Sequence, residues 1–163
     1  MNNNHVTFSK SDIERAVRTR EADAPHTEVS MIINLLRFSF KEGVTEAEKR
    51  RALAAISRTA AVDSVSFSVI GQDLGDPTEG YTHSYCVGIP DLAALDRYLS
   101  EPVHREGDFV FAPVVAKLTR VALSDDTDPA LSEKLMAIHA RKMAADPEWA
   151  NLLRAVPGMR ING

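Results

Sequence analysis

Strand-like and helix-like hydrophobic patterns alternate along residues 31–123. Apolar side chains recur at every second position in four segments, which predicts strands: 31–40, 62–70, 81–89 and 114–123. Two intervening segments place apolar side chains three and four positions apart, which predicts helices: 46–59 and 92–100. The predicted order β-α-β-β-α-β is that of the ferredoxin-like unit, an α+β fold with a four-stranded antiparallel sheet and both helices on one face.

Capping residues support both helices. Thr45 and Glu48 have the spacing of a capping box, and Asp91 is a good N-cap for the second helix. Pro102 prevents that helix from continuing, because its ring and missing N–H do not fit a helix interior. Residues 110–112 are predicted to be irregular or a short helix.

One face of the predicted sheet carries no helices, so its apolar side chains must be buried against something else. Along the second strand, Val65, Phe67 and Val69 point to one side, and small serines point to the other. A second copy of the chain is the natural cover for the bare side. The sequence therefore predicts a homodimer in which two sheets face each other as a dimeric α/β barrel.

The two ends of the chain differ from the body. Residues 1–30 form a polar N-terminal tail with a possible short helix at 11–19. Residues 126–163 are predicted to be a helical C-terminal extension, whose helices start at Asp-Pro pairs in the cap and first-turn positions. Both helices are expected to pack on the body or on the partner subunit. Trp149 is expected to anchor the last helix, and the alternative is that it covers the pocket as a lid. The domain proper then spans residues 31–125.

Composition and charge exclude several functions. The net charge is −4 with acids and bases interspersed, so no basic groove for nucleic acid is expected. The single cysteine, Cys86, cannot form an internal disulfide. Apolar runs are much shorter than the roughly 20 residues of a membrane helix, and no secretory signal is recognisable. The sequence predicts a cytoplasmic protein that does not enter membranes.

Histidine and tyrosine are concentrated in residues 80–104. An imidazole and a phenol that meet can move a proton and stabilise the oxygen left behind. His104 is thus either a general base or a residue that holds the turn at Pro102. Tyr98 is either an oxyanion donor or one more aromatic side chain on the buried side of its helix.

Residues 31–125 resemble the stress-responsive α/β-barrel (Dabb) domain. The resemblance rests on motifs at 38–46, 80–83, 98–104 and 121–125 in their order and spacing. Members of that family are ferredoxin-like homodimers, and the resemblance implies the same assembly for this chain.

The resemblance also implies a chemistry. The family includes plant olivetolic acid cyclase, which closes a linear polyketide thioester into a ring without metal or organic cofactor. The implied function is a cofactor-independent cyclase, or a related lyase or isomerase, acting on a polyketide-like β-dicarbonyl substrate. His104 would take the proton and Tyr98 would stabilise the oxyanion. Two positions depart from the family pattern, because Glu101 and Asn34 stand where relatives carry histidines.

Four further residues are expected to shape a pocket for a small hydrophobic carbonyl-containing ligand: His83, Tyr85, Leu53 and Ile56. No metal and no cofactor are expected. The main alternative is a non-catalytic homodimer, stress-responsive or binding a small ligand. A haem-linked or oxygen-dependent monooxygenase ranks last, since no haem-ligand pattern is recognisable.

Overall fold

The computed structural model describes residues 30–159. Within that range four strands and five α-helices follow one another: β1 (Ile32–Phe40), α1 (Glu46–Thr59), β2 (Phe67–Gln72), β3 (His83–Ile89), α2 (Leu92–Ser100), α3 (Pro102–Phe111), β4 (Val115–Ser124), α4 (Leu131–Ala145) and α5 (Pro147–Arg154). The short helix predicted for residues 11–19 lies outside the described residues.

The four strands form one antiparallel sheet with the order β2-β3-β1-β4. This confirms the predicted α+β, ferredoxin-like fold. In the register of the sheet, Leu36 lies opposite Tyr85 on one side and Arg120 on the other. Directly opposed residues share a face, so these three side chains point to the same side. That side also carries the buried Phe38 and Val87, and it is the side covered by helices.

The first two helices begin where their caps predicted. The Thr45 hydroxyl accepts a hydrogen bond from the Glu48 N–H, and the Glu48 carboxylate accepts one from the Thr45 N–H at 2.8 Å. The Asp91 carboxylate accepts a hydrogen bond from the Ala94 N–H at 2.6 Å. Each cap satisfies backbone donors that the first turn of a helix leaves free.

Helix α3 begins at Pro102 and extends to Phe111, so it is much longer than the short helix predicted near 110–112. Proline suits the first turn of a helix, where its missing N–H would have no partner. Pro102 therefore ends α2 and starts α3. Gly107 lets α3 approach α1 closely, since a Cβ there would lie 2.5 Å from the Thr59 hydroxyl. His104 consequently stands in the first turn of α3, one turn before Asp108.

The opposite face of the sheet is bare in the single chain. Phe67 and Val69 of β2 are 44% and 65% exposed, and Val121 and Leu123 of β4 are 40% and 54% exposed. We call the surface made by these four side chains the bare face. The second strand begins at Phe67, later than predicted, and Val65 precedes it.

The C-terminal extension packs on the body of the chain. The Asp146 carboxylate caps α5 by accepting a hydrogen bond from the Trp149 N–H, as the Asp-Pro pattern predicted. Trp149 is only 2% exposed. After α5 the Leu118 N–H donates to the Pro157 carbonyl at 3.0 Å, which ties the end of the extension to β4. Among the helices of residues 30–159, none combines the length and apolarity needed to cross a membrane.

Candidate active site

A cavity of about 190 Å³ lies between the inner face of the sheet and the helices. For comparison, an engineered apolar cavity of about 150 Å³ is large enough to hold benzene. The sheet contributes Asn34, Leu36, Tyr85 and Arg120 to its wall. The cavity therefore has room for a small organic molecule and carries polar groups that could orient it.

Helices α1, α2 and α3 form the other walls. Their lining residues are Ile56, Thr59, Leu95, Tyr98, Leu99, His104, Asp108 and Phe111. The chemistry-bearing side chains come from the end of α2 and from α3, which are separated only by the turn at Pro102. That turn is what brings the phenol of Tyr98 and the imidazole of His104 together.

The C-terminal extension forms a further wall of the cavity. Six of the eighteen lining residues come from it: Met136, His139, Met143, Trp149, Leu153 and Met159. Methionines adapt their shape to irregular contents, and three of the six are methionines. The cavity of this chain is thus a product of the domain and its extension together.

Two tyrosines form a hydrogen-bonded pair at the cavity wall. The hydroxyl oxygens of Tyr85 and Tyr98 are 2.8 Å apart, and each side chain is 2% exposed. Burial raises the pKa of both phenols, so both are protonated at neutral pH. One hydroxyl donates to the other, which leaves one O–H of the pair free to donate to a ligand oxygen.

His104 lies edge-on against Tyr98. The two ring centroids are 4.6 Å apart with an interplanar angle of 77°. Burial lowers the pKa of His104, and the charge of Lys142 acts in the same direction, whereas Asp108 opposes both. A neutral imidazole at pH 7 follows, and a neutral imidazole is the form that can accept a proton.

Asp108 is the acidic partner of His104. Its Oδ2 lies 3.4 Å from His104 Nδ1, but the alignment makes no hydrogen bond, so Nδ1 has no hydrogen-bond partner within residues 30–159. The same Oδ2 accepts a hydrogen bond of 2.6 Å from Trp149 Nε1. Burial raises the pKa of Asp108, while His104 and the Trp149 hydrogen bond oppose that shift. Trp149 therefore holds the carboxylate beside the imidazole, where it would stabilise a protonated ring.

A second polar cluster lines the same cavity. Arg120 Nε donates to the Asn34 side-chain oxygen at 2.7 Å, and Arg120 Nη2 is 3.1 Å from His139 Nε2. Burial lowers the pKa of His139 to about 4, with a smaller effect in the same direction from the charge of Arg120 and from repulsion by the His104 ring when that ring is protonated. His139 is therefore neutral at pH 7, and its Nε2 accepts the hydrogen bond from the guanidinium.

The structure brings four of the six residues expected at the site to one cavity: Tyr98, His104, Tyr85 and Ile56. Leu53 packs against the hydrophobic core instead. His83 lies at the start of β3, opposite Phe38, and its ring stacks on that phenylalanine at 5.5 Å. Its Nδ1 is 2.8 Å from the Thr82 hydroxyl. Neither Leu53 nor His83 lines the cavity.

Sequence reasoning missed Asp108, Arg120 and His139 as parts of the site. The four-residue spacing of His104 and Asp108 would have indicated a contact, but only in a segment predicted to be helical. Among the residues that the structure describes, no group of three or more His, Cys, Asp or Glu side chains is arranged to hold a metal ion.

Residues 32–125 match the family model described as Stress responsive A/B Barrel Domain. No curated protein sequence is significantly similar to the chain. A dimeric ferredoxin-like protein of unknown function from Thermobifida fusca is similar in structure, with 20% identity over 63% of this chain and 98% of that chain and a TM-score of 0.52. A Dabb family protein from Mesorhizobium loti is also similar in structure. It is 22% identical over 58% of this chain and 95% of that chain, with a TM-score of 0.50.

A hydroxynitrile lyase from Passiflora edulis is also similar, with 17% identity over 60% of this chain and 94% of that chain and a TM-score of 0.53. At these identities the likeness shows the shared fold alone. Helices α4 and α5 lie beyond the segment that the family model matches.

Proposed function

The chain belongs to the stress-responsive A/B barrel (Dabb) domain family, and from that premise we propose that it is a lyase or isomerase that acts on a small carbonyl compound without a cofactor. One observation carries the proposal: the Tyr98 phenol and the His104 imidazole meet at 4.6 Å on the wall of a cavity large enough for a small organic molecule. Removal of a proton from a carbon next to a carbonyl group needs a neutral base to accept the proton and a hydroxyl donor to stabilise the negative oxygen that forms.

The proposed reaction begins with proton transfer. His104 removes a proton from the carbon between two carbonyl groups, and the electron pair moves onto a carbonyl oxygen to form an enolate. The free O–H of the Tyr85–Tyr98 pair donates a hydrogen bond to that oxygen. Asp108 lies 3.4 Å from the ring that becomes positively charged, so its carboxylate stabilises the imidazolium.

The substrate class we favour is a polyketide-like β-dicarbonyl compound. The enolate carbon attacks a third carbonyl group of the same molecule, one that lies outside the β-dicarbonyl unit. A carbon–carbon bond forms, the attacked carbonyl becomes an alkoxide, and the alkoxide takes the proton back from His104. A cavity of about 190 Å³ suits a compact product with a single ring. In this scheme Ile56 supplies apolar contact to the substrate.

A second candidate reaction uses the same residues. The structural likeness to the hydroxynitrile lyase from Passiflora edulis favours cyanohydrin cleavage. His104 would take the hydroxyl proton, the carbon–nitrile bond would break, and the products would be an aldehyde or ketone and cyanide. The His104 proton would then pass to the cyanide, which leaves as hydrogen cyanide.

The dimeric relatives support a homodimer for this chain as well. We propose that the bare face is its interface, because four large apolar side chains would otherwise remain in water. A binding protein without turnover would use the same cavity and the same interface, so only a measurement of catalysis separates it from the enzyme.

The test uses two probe reactions on the protein treated with EDTA. Deuterium exchange into ethyl 2-methylacetoacetate, followed by NMR, reports proton removal between two carbonyls. Release of benzaldehyde from mandelonitrile reports cyanohydrin cleavage. In the reaction that the wild type catalyses, we expect His104→Ala to lower kcat by about 100-fold or more and Tyr98→Phe by about 10- to 100-fold.

Tyr81→Phe is the matched control, because Tyr81 lies outside the cavity beneath Arg37 and Lys117. Its activity should equal that of the wild type. Catalysis that survives in His104→Ala contradicts the mechanism, and a wild type inactive in both reactions favours the binding protein.

A further inference from the structure

Arg120 is unusual among the partly buried arginines of residues 30–159. It lies on the helix-covered face of the sheet and lines the cavity. Arg37 and Arg105 each contact two carboxylates, and the exposed Arg141 contacts one. Within residues 30–159, Arg120 forms no ion pair with any carboxylate. A charge withdrawn from water without a partner of opposite sign costs free energy.

The neighbours of Arg120 fix its guanidinium without neutralising it. A guanidinium has five N–H donors, and here Nε is bound by Asn34 and one Nη2 donor by His139. Three donors are left without an acceptor among the described residues. Both neighbours are uncharged, so the positive charge stays available at the cavity wall.

We propose that Arg120, oriented by Asn34 and His139, binds the carboxylate group of the ligand. A guanidinium suits this task because two of its N–H groups match the two oxygens of a carboxylate. The inference rests on the proposed function and narrows it, since the substrate becomes a carbonyl compound that also carries an acid group. The acid would lie at Arg120 and the reacting carbonyl at Tyr98, which lines the same cavity.

The C-terminal extension contributes to this subsite. His139 belongs to α4, outside the segment that the family model matches. The extension thus helps to orient the guanidinium of Arg120, which itself lies within the matched segment.

Binding can be measured separately from turnover, because Trp149 is the single tryptophan of the chain and lines the cavity. Its fluorescence is followed during titration with phenylacetate and with the neutral phenylacetamide, which has nearly the same shape. We expect the wild type to bind phenylacetate at least tenfold more tightly than phenylacetamide. Arg120→Gln should abolish the preference, and Arg120→Lys should keep part of it.

Arg141→Gln is the matched control, because Arg141 is exposed and contacts only Asp96. It should keep the full preference. His104→Ala should also keep the preference for phenylacetate while it loses turnover. An error in the proposed mechanism and an error in the proposed carboxylate site would therefore give different results. Equal binding of the two probes by the wild type, or binding of neither, overturns the proposal even if Arg120→Gln fails to fold. A preference that persists in a folded Arg120→Gln overturns it as well.

Discussion

Replacing His139 by glutamine should make the protein less sensitive to acid. The His139 ring is partly buried, and its pKa is lowered to about 4 from an ordinary value of 6.5. Between these two values the unfolded chain binds a proton that the folded chain does not. The free energy of unfolding therefore falls as the pH drops from 6.5 to about 4, whereas above that range the titration of His139 has no effect on stability.

The magnitude follows from the distance between the two pKa values. A difference of about 2.5 corresponds to roughly 3 kcal/mol at 1.36 kcal/mol for each pKa unit. Because the ring retains some exposure, we expect protonation of His139 to lower the free energy of unfolding by about 2 to 3 kcal/mol between pH 7 and pH 4. The side-chain oxygen of a glutamine at this position would accept the same hydrogen bond from Arg120, and the amide would not titrate.

The assay is urea denaturation followed by Trp149 fluorescence at pH 7, 6, 5 and 4, with protein concentration held fixed because association affects stability. At pH 7 the variant should be within about 1 kcal/mol of the wild type, since one hydrogen bond is replaced by another. Its loss of unfolding free energy on going to pH 4 should be smaller by about 2 to 3 kcal/mol. His104 is also buried with a lowered pKa, and its contribution is common to both proteins.

Equal acid sensitivity in the two proteins would refute this reasoning. It would mean that His139 is either protonated in the folded protein or as accessible to water as in the unfolded chain. An NMR titration of the His139 ring with a midpoint near 6.5 would contradict the lowered pKa independently of any stability measurement.

Three further predictions concern packing and assembly. Trp149→Phe removes the hydrogen bond to the Asp108 carboxylate and should lower the free energy of unfolding by about 1.5 to 3 kcal/mol in urea denaturation, followed for all variants here by circular dichroism; an unchanged stability would show that water replaces the indole. Gly107→Ala brings a methyl group against the Thr59 hydroxyl and should cost about 1 to 3 kcal/mol by the same assay; a neutral result would mean that α1 and α3 separate easily. Val121→Lys places a charge on the bare face and should convert the dimer to monomer in analytical ultracentrifugation; a dimer that persists would place the interface elsewhere.

Local signals explain why most of the fold is predictable. The two-residue period of the strands and the caps at Thr45 and Asp91 depend only on neighbours along the chain, and both caps form the expected hydrogen bonds. The exception is α3, because a proline at position 102 is compatible both with the end of one helix and with the start of another. A proline that ends one helix can equally occupy the first turn of the next.

The site is only partly predictable, because it depends on contacts between distant segments. His104 and Tyr98 follow from a family resemblance, and the short turn at Pro102 brings them together. Arg120 requires the strand register, which places it opposite Leu36 on the inner face. Arg120 could have been singled out once the register was known, because a charged residue on the inward-facing side of a strand is rarely buried without a partner. The alternative role of Trp149 as a lid is the one hint that the extension reaches this cavity, and nothing in the sequence indicates that His139 lines it.

The central claim is that the cavity bounded by Tyr98 and His104 binds a small carbonyl compound. A crystal structure of the wild-type protein with acetylacetone tests it most directly. The account predicts one diketone in each cavity, with an oxygen about 2.6 to 3.2 Å from the Tyr98 hydroxyl and the central carbon facing the His104 ring. A diketone bound only outside the cavity, or a cavity filled by side chains beside the two rings, would contradict it.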